Sequence, residues 1–211
     1  APDLMNAHNY VMKKYGYDER KLADIKKLAG RGSKVMLTKS MHEIAELSGK
    51  IKKTDDVVEK MTKEFIDFYS KNIVKESTLK NGVLDFLTWC KKNSISMGVC
   101  TNKQEHLSID LLKKIKIHDF FEFVAGGNTF EYCKPDPRHL TNIIEILGGD
   151  IKKSIMIGDS ENDADAAKLA EIPMILLKDG YTEKKVEQIY HNHLIENFIG
   201  IEKIISSYLN G

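Results

Sequence analysis

The sequence is poor in cysteine, has no long uncharged apolar run and carries almost no net charge, and each absence excludes a class of protein. Its cysteines are Cys90, Cys100 and Cys133, with no CxxC pair, which indicates reduced thiols and predicts a cytoplasmic protein. The 32 basic and 31 acidic side chains nearly cancel, so bulk electrostatic binding to nucleic acid or to an anionic membrane is not expected. No apolar run approaches the roughly 18 residues of a membrane-spanning helix.

The chain of 211 residues suits one large domain, or a compact domain that carries a smaller one. Residues 3–72 show helical periodicity only, in three apolar stripes that we interpret as a small helical bundle. The stripes are Leu4, His8, Val11, Met12 and Tyr15; Val35, Met36, Ile44, Ala45 and Leu47; and Val57, Val58, Met61, Phe65, Phe68 and Tyr69. We therefore predict a first domain at residues 1–72.

From about residue 73 short apolar runs alternate with helical patterns, which predicts an α/β fold with a parallel sheet covered on both faces. The predicted strands are residues 95–100, 121–125, 154–157, 174–177 and, weakly, 194–195. The predicted helices are residues 83–92, 103–114, 137–147, 164–170, 182–188 and 199–209. Ligands of such sheets bind beyond the carboxyl ends of the strands, so the polar groups at those ends are the candidate site.

Thr101 and Asn102 follow the first of these strands, and Lys134 lies in a loop before a predicted helix. A hydroxyl at a strand end, followed by N–H groups that open a helix, can hold an anionic oxygen, although Thr101 also suits an ordinary N-cap. The prolines at 135 and 137 stiffen the loop of Lys134. Its ammonium either neutralises an anion and orients carboxylates or is solvated on a rigid turn.

Four acidic residues within seven follow the apolar strand at 154–157: Asp159, Glu161, Asp163 and Asp165. Asp159 ends the strand, and Asp163 can point back at the same place one helical turn later. Carboxylates this close need a cation between them, and oxygen-only ligands beside a phosphate favour Mg²⁺. Glu161 and Asp165 we interpret as acids that complement the helix dipole.

The order Thr, Lys and Asp…Asp, each one strand–helix unit apart, resembles motifs two, three and four of the haloacid dehalogenase-like (HAD) phosphohydrolases. The resemblance covers essentially the whole chain, and within the superfamily it is greatest to the phosphoglycolate phosphatases. The segments that carry it are Ala1-Pro2-Asp3-Leu4, Gly30-Arg31-Gly32, Thr101-Asn102-Lys103, Gly126-Gly127-Asn128-Thr129, Lys134-Pro135-Asp136-Pro137, Gly158-Asp159-Ser160 and Asp179-Gly180-Tyr181.

The resemblance implies a Rossmann-like parallel-sheet core at residues 73–211 with a helical cap domain at residues 1–72. It implies Mg²⁺-dependent hydrolysis of a phosphate monoester of a small metabolite, with 2-phosphoglycolate as the best single substrate, through an aspartyl-phosphate. Thr101 and Asn102 would then bind the phosphoryl group, with Lys134 neutralising its charge.

The same resemblance implies that Asp159 ligates Mg²⁺ and that Asp163 orients Lys134 or the waters of the metal. Arg31 of the cap would bind the second charge of the substrate, a small carboxylate; a surface arginine is the alternative.

One family feature is missing. The motif Asp-x-Asp-Gly-Thr, which supplies the nucleophile and the general acid/base at the end of a central strand, does not occur in the sequence. We therefore expect a core that lacks its first (central) strand and is inactive alone. Such a chain either derives from a longer protein or fills the position of the missing strand with another segment.

Three alternatives for the function stay open: another HAD phosphohydrolase or mutase acting on a sugar phosphate or pyrophosphate, a non-catalytic phosphate- or Mg²⁺-binding protein, and a generic doubly wound binding domain.

Overall fold

The computed structural model of the protein describes residues 2–28, 32–48 and 55–209. The chain packs as two compact units, Ala1–Ser77 and Thr78–Gly211. The assignment of a cap domain to the first part and a catalytic core to the second stays a prediction. Arg31 lies outside the described residues.

The first unit contains helices and no strand among its described residues: α1 (Pro2–Lys14), α2 (Leu22–Leu28), α3 (Ser33–Ser48) and α4 (Asp55–Lys71). Apolar side chains three or four positions apart form the buried faces of these helices. The buried set includes Ala7, Val11, Met12, Ile25, Met36, Leu37, Met41, Val58, Met61 and Phe65. Val35, expected in the second apolar stripe, is 39% exposed, and α2 was not predicted as a separate helix.

A polar cluster lies inside this helical unit around His8, whose side chain is fully buried. His8 Nε2 lies 3.0 Å from Ser40 Oγ, and Arg20 donates to the Ser40 hydroxyl and carbonyl at 3.3 and 3.2 Å. Burial, with Arg20 as a smaller contribution, holds the pKa of His8 below its ordinary value, against a hydrogen bond to Asn9 that raises it. The imidazole is therefore a neutral part of the helical core.

The second unit alternates helices with short parallel strands, so the predicted α/β fold class is confirmed. Its strands are β1 (Gly98–Cys100), β2 (Phe123–Ala125), β3 (Met156–Ser160), β4 (Met174–Tyr181) and β5 (His193–Ile195). Its helices are α5 (Val83–Lys92), α6 (Glu105–Lys114), α7 (Arg138–Ile146), α8 (Glu161–Leu169) and α9 (Ile201–Leu209).

The segment 182–188, predicted as a helix, forms only a 3-10 turn at Val186–Gln188. The helix prediction was wrong for two reasons. β4 continues to Tyr181, which pairs with Ser160 of β3. Glu161 then accepts the backbone N–H groups of Glu183 and Lys184, so these groups are held in a loop.

The strands form two separate parallel ladders, β1–β2 and β3–β4–β5. Both ladders contribute to the same two apolar clusters. On one face Cys100 and Met156 pack against Leu140, Ala164 and Leu176. The two ladders therefore share a helix layer that includes α7 and α8.

On the opposite face, Met97 beside β1 and Ile155 and Ile157 of the β3 segment pack against Phe86 and Ile201, from α5 and α9. Among the described residues no strand pairs with the free edge of β1 or of β3. The side chains of residues 155–157 are only half-buried, whereas residues 174–177 of β4 are buried. We call this break between β1 and β3 the slot.

Within the part of the chain that the structure describes, no helix combines the length and apolar character that a bilayer crossing requires.

Candidate active site

Lys134, on the loop between β2 and α7, is the centre of a buried polar cluster and is 7% exposed. Its Nζ lies 2.6 Å from Asp163 Oδ1 and donates to the Cys100 carbonyl at the end of β1. Its backbone N–H donates to His139 Nδ1 at 3.2 Å, and its carbonyl accepts from Asn102 Nδ2 at 2.8 Å. The ammonium is therefore fixed at the strand ends, unlike the solvated lysine of a surface turn.

Asp163 is the carboxylate that faces this ammonium. Its second oxygen accepts from the backbone N–H of Asp159 at 2.9 Å and from the N–H and hydroxyl of Ser160 at 3.0 and 2.8 Å. Burial opposes the charge, but Lys134 and these hydrogen bonds outweigh it, so the pKa of Asp163 is lowered. Burial likewise opposes the charge on Lys134, and the Asp163 carboxylate outweighs it, so the pKa of Lys134 is raised. The two groups form a charged pair.

Glycine at 158 is required by this arrangement. A Cβ there would lie 2.6 Å from the Oδ2 atom of Asp163, closer than non-bonded atoms tolerate. Gly158 thus lets the Asp163 carboxylate approach the strand end and accept its N–H groups. Gly180 of β4 has a similar role that the sequence analysis did not identify, because a Cβ there would lie 1.8 Å from the Asp159 carbonyl oxygen.

Asp159 differs from Asp163 because its carboxylate makes no hydrogen bond or ion pair with the described residues. Burial, and next the neighbouring Asp163 carboxylate, raise the pKa of Asp159 to about 7, against the opposing effect of Lys134. A desolvated carboxylate without a cationic partner suits a divalent cation. No group of three or more His, Cys, Asp or Glu side chains converges within the described residues. The buried, unpartnered carboxylate of Asp159 is compatible with Mg²⁺, which one or two carboxylates hold together with water and phosphate oxygens.

Thr101 lies at the carboxyl end of β1, where its N–H donates to the Ala125 carbonyl at 2.9 Å. Its Oγ1 accepts from the Lys103 N–H at 3.2 Å, and its hydroxyl hydrogen has no acceptor among the described residues. Thr101 can thus still donate to a ligand. The amide of Asn102, in contrast, donates to the Lys134 carbonyl, so that donor supports the lysine loop.

Lys103 and Cys100 are further ionisable groups beside the site. Burial lowers the pKa of Lys103 to about 8, a shift that its place in the segment Thr101-Asn102-Lys103 does not predict. Burial raises the pKa of the Cys100 thiol to about 11. The thiolate is therefore suppressed, consistent with the interpretation of these cysteines, all three of which are free thiols, as reduced and unreactive.

The remaining acids of the fourth motif do not join the cluster around Lys134. Asp165 is exposed, as expected for an acid on the first turns of a helix. Glu161 does more than complement the helix dipole, because its carboxylate holds the loop after β4 through the N–H groups of Glu183 and Lys184.

Known proteins match the chain over most of its length. A family model described as "Haloacid dehalogenase-like hydrolase" matches residues 1–177. A phosphoglycolate phosphatase of Mesorhizobium japonicum is 32% identical over 198 residues, which cover 94% of this chain and 85% of the relative. A phosphoglycolate phosphatase of Caulobacter vibrioides is 33% identical over 204 residues, which cover 96% of this chain and 84% of the relative.

Solved structures share the fold at lower identity. A predicted phosphoglycolate phosphatase from Haemophilus somnus 129PT superposes with a TM-score of 0.91 at 24% identity, covering 96% of this chain and 90% of the other. A β-phosphoglucomutase from Clostridium difficile superposes with a TM-score of 0.78 at 20% identity, covering 99% and 91%. Identities this low establish the fold and nothing finer.

Proposed function

The chain belongs to the haloacid dehalogenase-like hydrolases, and we propose that its substrate is 2-phosphoglycolate, hydrolysed with Mg²⁺. The sequence predicts this family and a phosphatase as the enzyme class, and both predictions are confirmed by the family match over residues 1–177 and by the curated relatives. The substrate is proposed because those relatives are named phosphoglycolate phosphatases. A small phosphorylated metabolite in the cytoplasm is accordingly the expected partner.

The observation that carries the proposal is the buried Lys134–Asp163 pair, found at the same strand ends as the free hydroxyl of Thr101 and the uncompensated carboxylate of Asp159. Phosphoryl transfer depends mainly on positioning and on neutralising charge. Lys134 supplies a fixed positive charge, and Thr101 offers a hydroxyl to a phosphoryl oxygen. Asp159 would hold Mg²⁺, which supplies further positive charge to the phosphoryl oxygens when bound. Asp163 keeps the ammonium in place.

In this proposal the nucleophile is an aspartate carried by a further strand in the slot, and the 211-residue polypeptide alone is inactive. Asp163 is a poor candidate because both its oxygens are occupied by donors. Asp159 is assigned to the metal. The unpaired edges of β1 and β3 support the proposal of a strand at this position. A single parallel strand between β1 and β3 would form hydrogen bonds with both edges. An aspartyl-phosphate formed there would lie beside Lys134 and Thr101.

The second charge of the substrate is assigned to Arg31, on the resemblance alone. A guanidinium can bind a carboxylate with two parallel hydrogen bonds, as glycolate would require. Arg31→Ala should therefore raise KM for phosphoglycolate. The kinetic constants for a phosphate ester without a carboxylate should change less.

The experiment that tests the function is a Mg²⁺-dependent phosphatase assay on the 211-residue chain and on a polypeptide extended upstream in its reading frame through an Asp-x-Asp-Gly-Thr strand. We expect phosphate release from 2-phosphoglycolate by the extended polypeptide only, and its loss on chelation of the metal. Preference for a sugar phosphate or pyrophosphate would overturn the substrate. Absence of turnover in both polypeptides would overturn the enzymatic proposal in favour of a phosphate- or Mg²⁺-binding protein.

Lys134→Ala in the extended polypeptide should lower kcat by roughly 10²–10³, the scale for removal of one preorganised charge stabiliser. Lys178→Ala is the matched control, because Lys178 is an exposed lysine paired with Glu196 at 2.9 Å. An unchanged rate in Lys134→Ala would remove Lys134 from the site.

A further inference from the structure

His139, in the first turn of α7, is a fully buried residue that neither the sequence motifs nor the proposed chemistry uses. Its Nδ1 accepts the backbone N–H of Lys134 at 3.2 Å. The ring also meets Phe130 edge-on, with centroids 5.8 Å apart and planes at 87°. The imidazole is thus clamped between an aromatic ring and the loop that carries the lysine.

His139 and Lys134 are also connected through Cys100. The carbonyl of His139 accepts from Cys100 Sγ at 3.8 Å, and the carbonyl of Cys100 accepts from Lys134 Nζ. His139 therefore touches the backbone of Lys134 directly and reaches its ammonium through the end of β1. A shift of the histidine would move both ends of the lysine.

The geometry also fixes the form of the imidazole. A nitrogen that accepts an N–H carries no proton itself, so Nδ1 is free of hydrogen and the ring is neutral. Burial, and next the charge of Lys134, lower the pKa of His139 to about 4, although the Gly126 backbone and Asp136 raise it slightly. The acceptor is therefore present throughout the neutral range.

We propose that His139 is a positioning residue that accepts the Lys134 backbone N–H and thereby directs the ammonium toward Asp163 and the site. The consequence for turnover rests on the proposed function, whereas the bond itself does not. Without the acceptor, a buried N–H group loses its partner, and the loop can satisfy it only by moving.

Three substitutions separate this role from simple packing. His139→Asn can present an amide oxygen at the position of Nδ1, His139→Gln carries the same group one bond too far, and His139→Leu fills the space without an acceptor. If His139 served only to fill the core, Leu would be the best replacement in both stability and turnover. The positioning role predicts the opposite order for turnover, with Asn above Gln and Leu.

The first measurement is amide hydrogen exchange of Lys134 in the 211-residue chain. We expect at least tenfold faster exchange in His139→Leu and near-native exchange in His139→Asn, with the amide of Met156, bonded to Pro173, unchanged in both. Equal exchange of Lys134 in the wild type and the Leu variant would overturn the proposal. Because this readout needs no catalysis, it stands even if the extended polypeptide has no phosphatase activity.

The second measurement is kcat and KM in the extended polypeptide, with melting temperatures alongside. A misplaced catalytic group lowers kcat by about 10- to 100-fold, which we expect for Leu and Gln with KM within twofold, and the Asn variant should recover most of kcat. Turnover in the Leu variant equal to or above that of the Asn variant would overturn the proposal.

Discussion

At the scale of single residues, the division of labour between the two aspartates of the fourth motif follows from their partners. Asp163 receives an ammonium, two backbone N–H groups and a hydroxyl, so its charge is already compensated by the protein. Asp159 receives none of these and its pKa rises to about 7. Asp163 therefore positions Lys134, whereas Asp159 is the carboxylate that lacks a cation.

Asp163→Asn should cost about 3–5 kcal/mol of unfolding free energy, because it leaves the Lys134 ammonium buried without its ion-pair partner. The measurement is urea unfolding with the m value compared between proteins. Glu196→Gln is the control, since it breaks the exposed pair with Lys178 and should cost at most about 1 kcal/mol. Adding Lys134→Met to Asp163→Asn should restore part of the loss, and equal losses in Asp163→Asn and Glu196→Gln would contradict the argument.

The candidate site was predictable to the extent that its residues stand where strands end. Thr101, Lys134, Asp159 and Asp163 could be proposed because the carboxyl ends of parallel strands meet at one edge of a sheet. The contact of His139 with Lys134 could not, because it depends on a turn that brings a helix residue back to its own loop. Gly180 was equally hidden, since its reason is the close approach of a neighbouring strand.

At the scale of elements, the slot is the feature that separates this fold from a continuous sheet. In a parallel sheet, the N–H and C=O groups of one residue both point to the strand on one side. Those of the next residue point to the strand on the other side. The Met156 N–H donates to the Pro173 carbonyl, toward β4, at 2.9 Å. The N–H of Ile157 therefore points toward the slot. Just after β1, the N–H of Thr101 points to β2, so the N–H of Cys100 faces the slot, whereas the Cys100 carbonyl already accepts from Lys134.

This alternation predicts which amides an added strand would protect. In the extended polypeptide, hydrogen exchange at Ile157 and Cys100 should slow by at least tenfold relative to the 211-residue chain. Exchange at Met156 and Thr101 should change little, because their bonds already exist. Comparable protection of all four amides, or of none, would contradict a strand in the slot.

The limits of predicting elements from sequence show in the same region. The prediction of a helix at 182–188 was wrong because contacts with two distant partners, the β3 strand and the Glu161 carboxylate, override the helical periodicity. The carboxyl ends of β3 and β4 were predicted too early, because contacts between the two strands extend them. β3 and β4 continue through Gly158 and Gly180, residues that sequence rules treat as breakers and that close packing requires here.

At the scale of the whole molecule, acidification acts on the α/β unit through two buried groups of opposite sign and on the helical unit through a buried histidine. In the α/β unit, His139 has a pKa lowered to about 4 and Asp159 a pKa raised to about 7. Acidification therefore disfavours the folded state through the histidine and favours it through the aspartate. In the helical unit, the His8 pKa is lowered, and no group with a raised carboxyl pKa is found among its described residues.

The helical unit should therefore lose stability as the pH falls below about 6.5, the ordinary pKa of histidine. Below this pH the His8 side chain binds a proton in the unfolded chain but stays neutral in the folded one. Hydrogen exchange of Val11 and Met12 in α1, corrected for intrinsic rates, measures this loss between pH 7.5 and 5.5. His8→Gln can keep a polar contact with Ser40 and does not titrate, so its α1 amides should show a markedly smaller loss. The amides of β4 are the control, because His8 is not in their unit and both proteins should respond there alike. An equal loss in α1 for wild type and His8→Gln would show that His8 does not set the acid sensitivity of this unit.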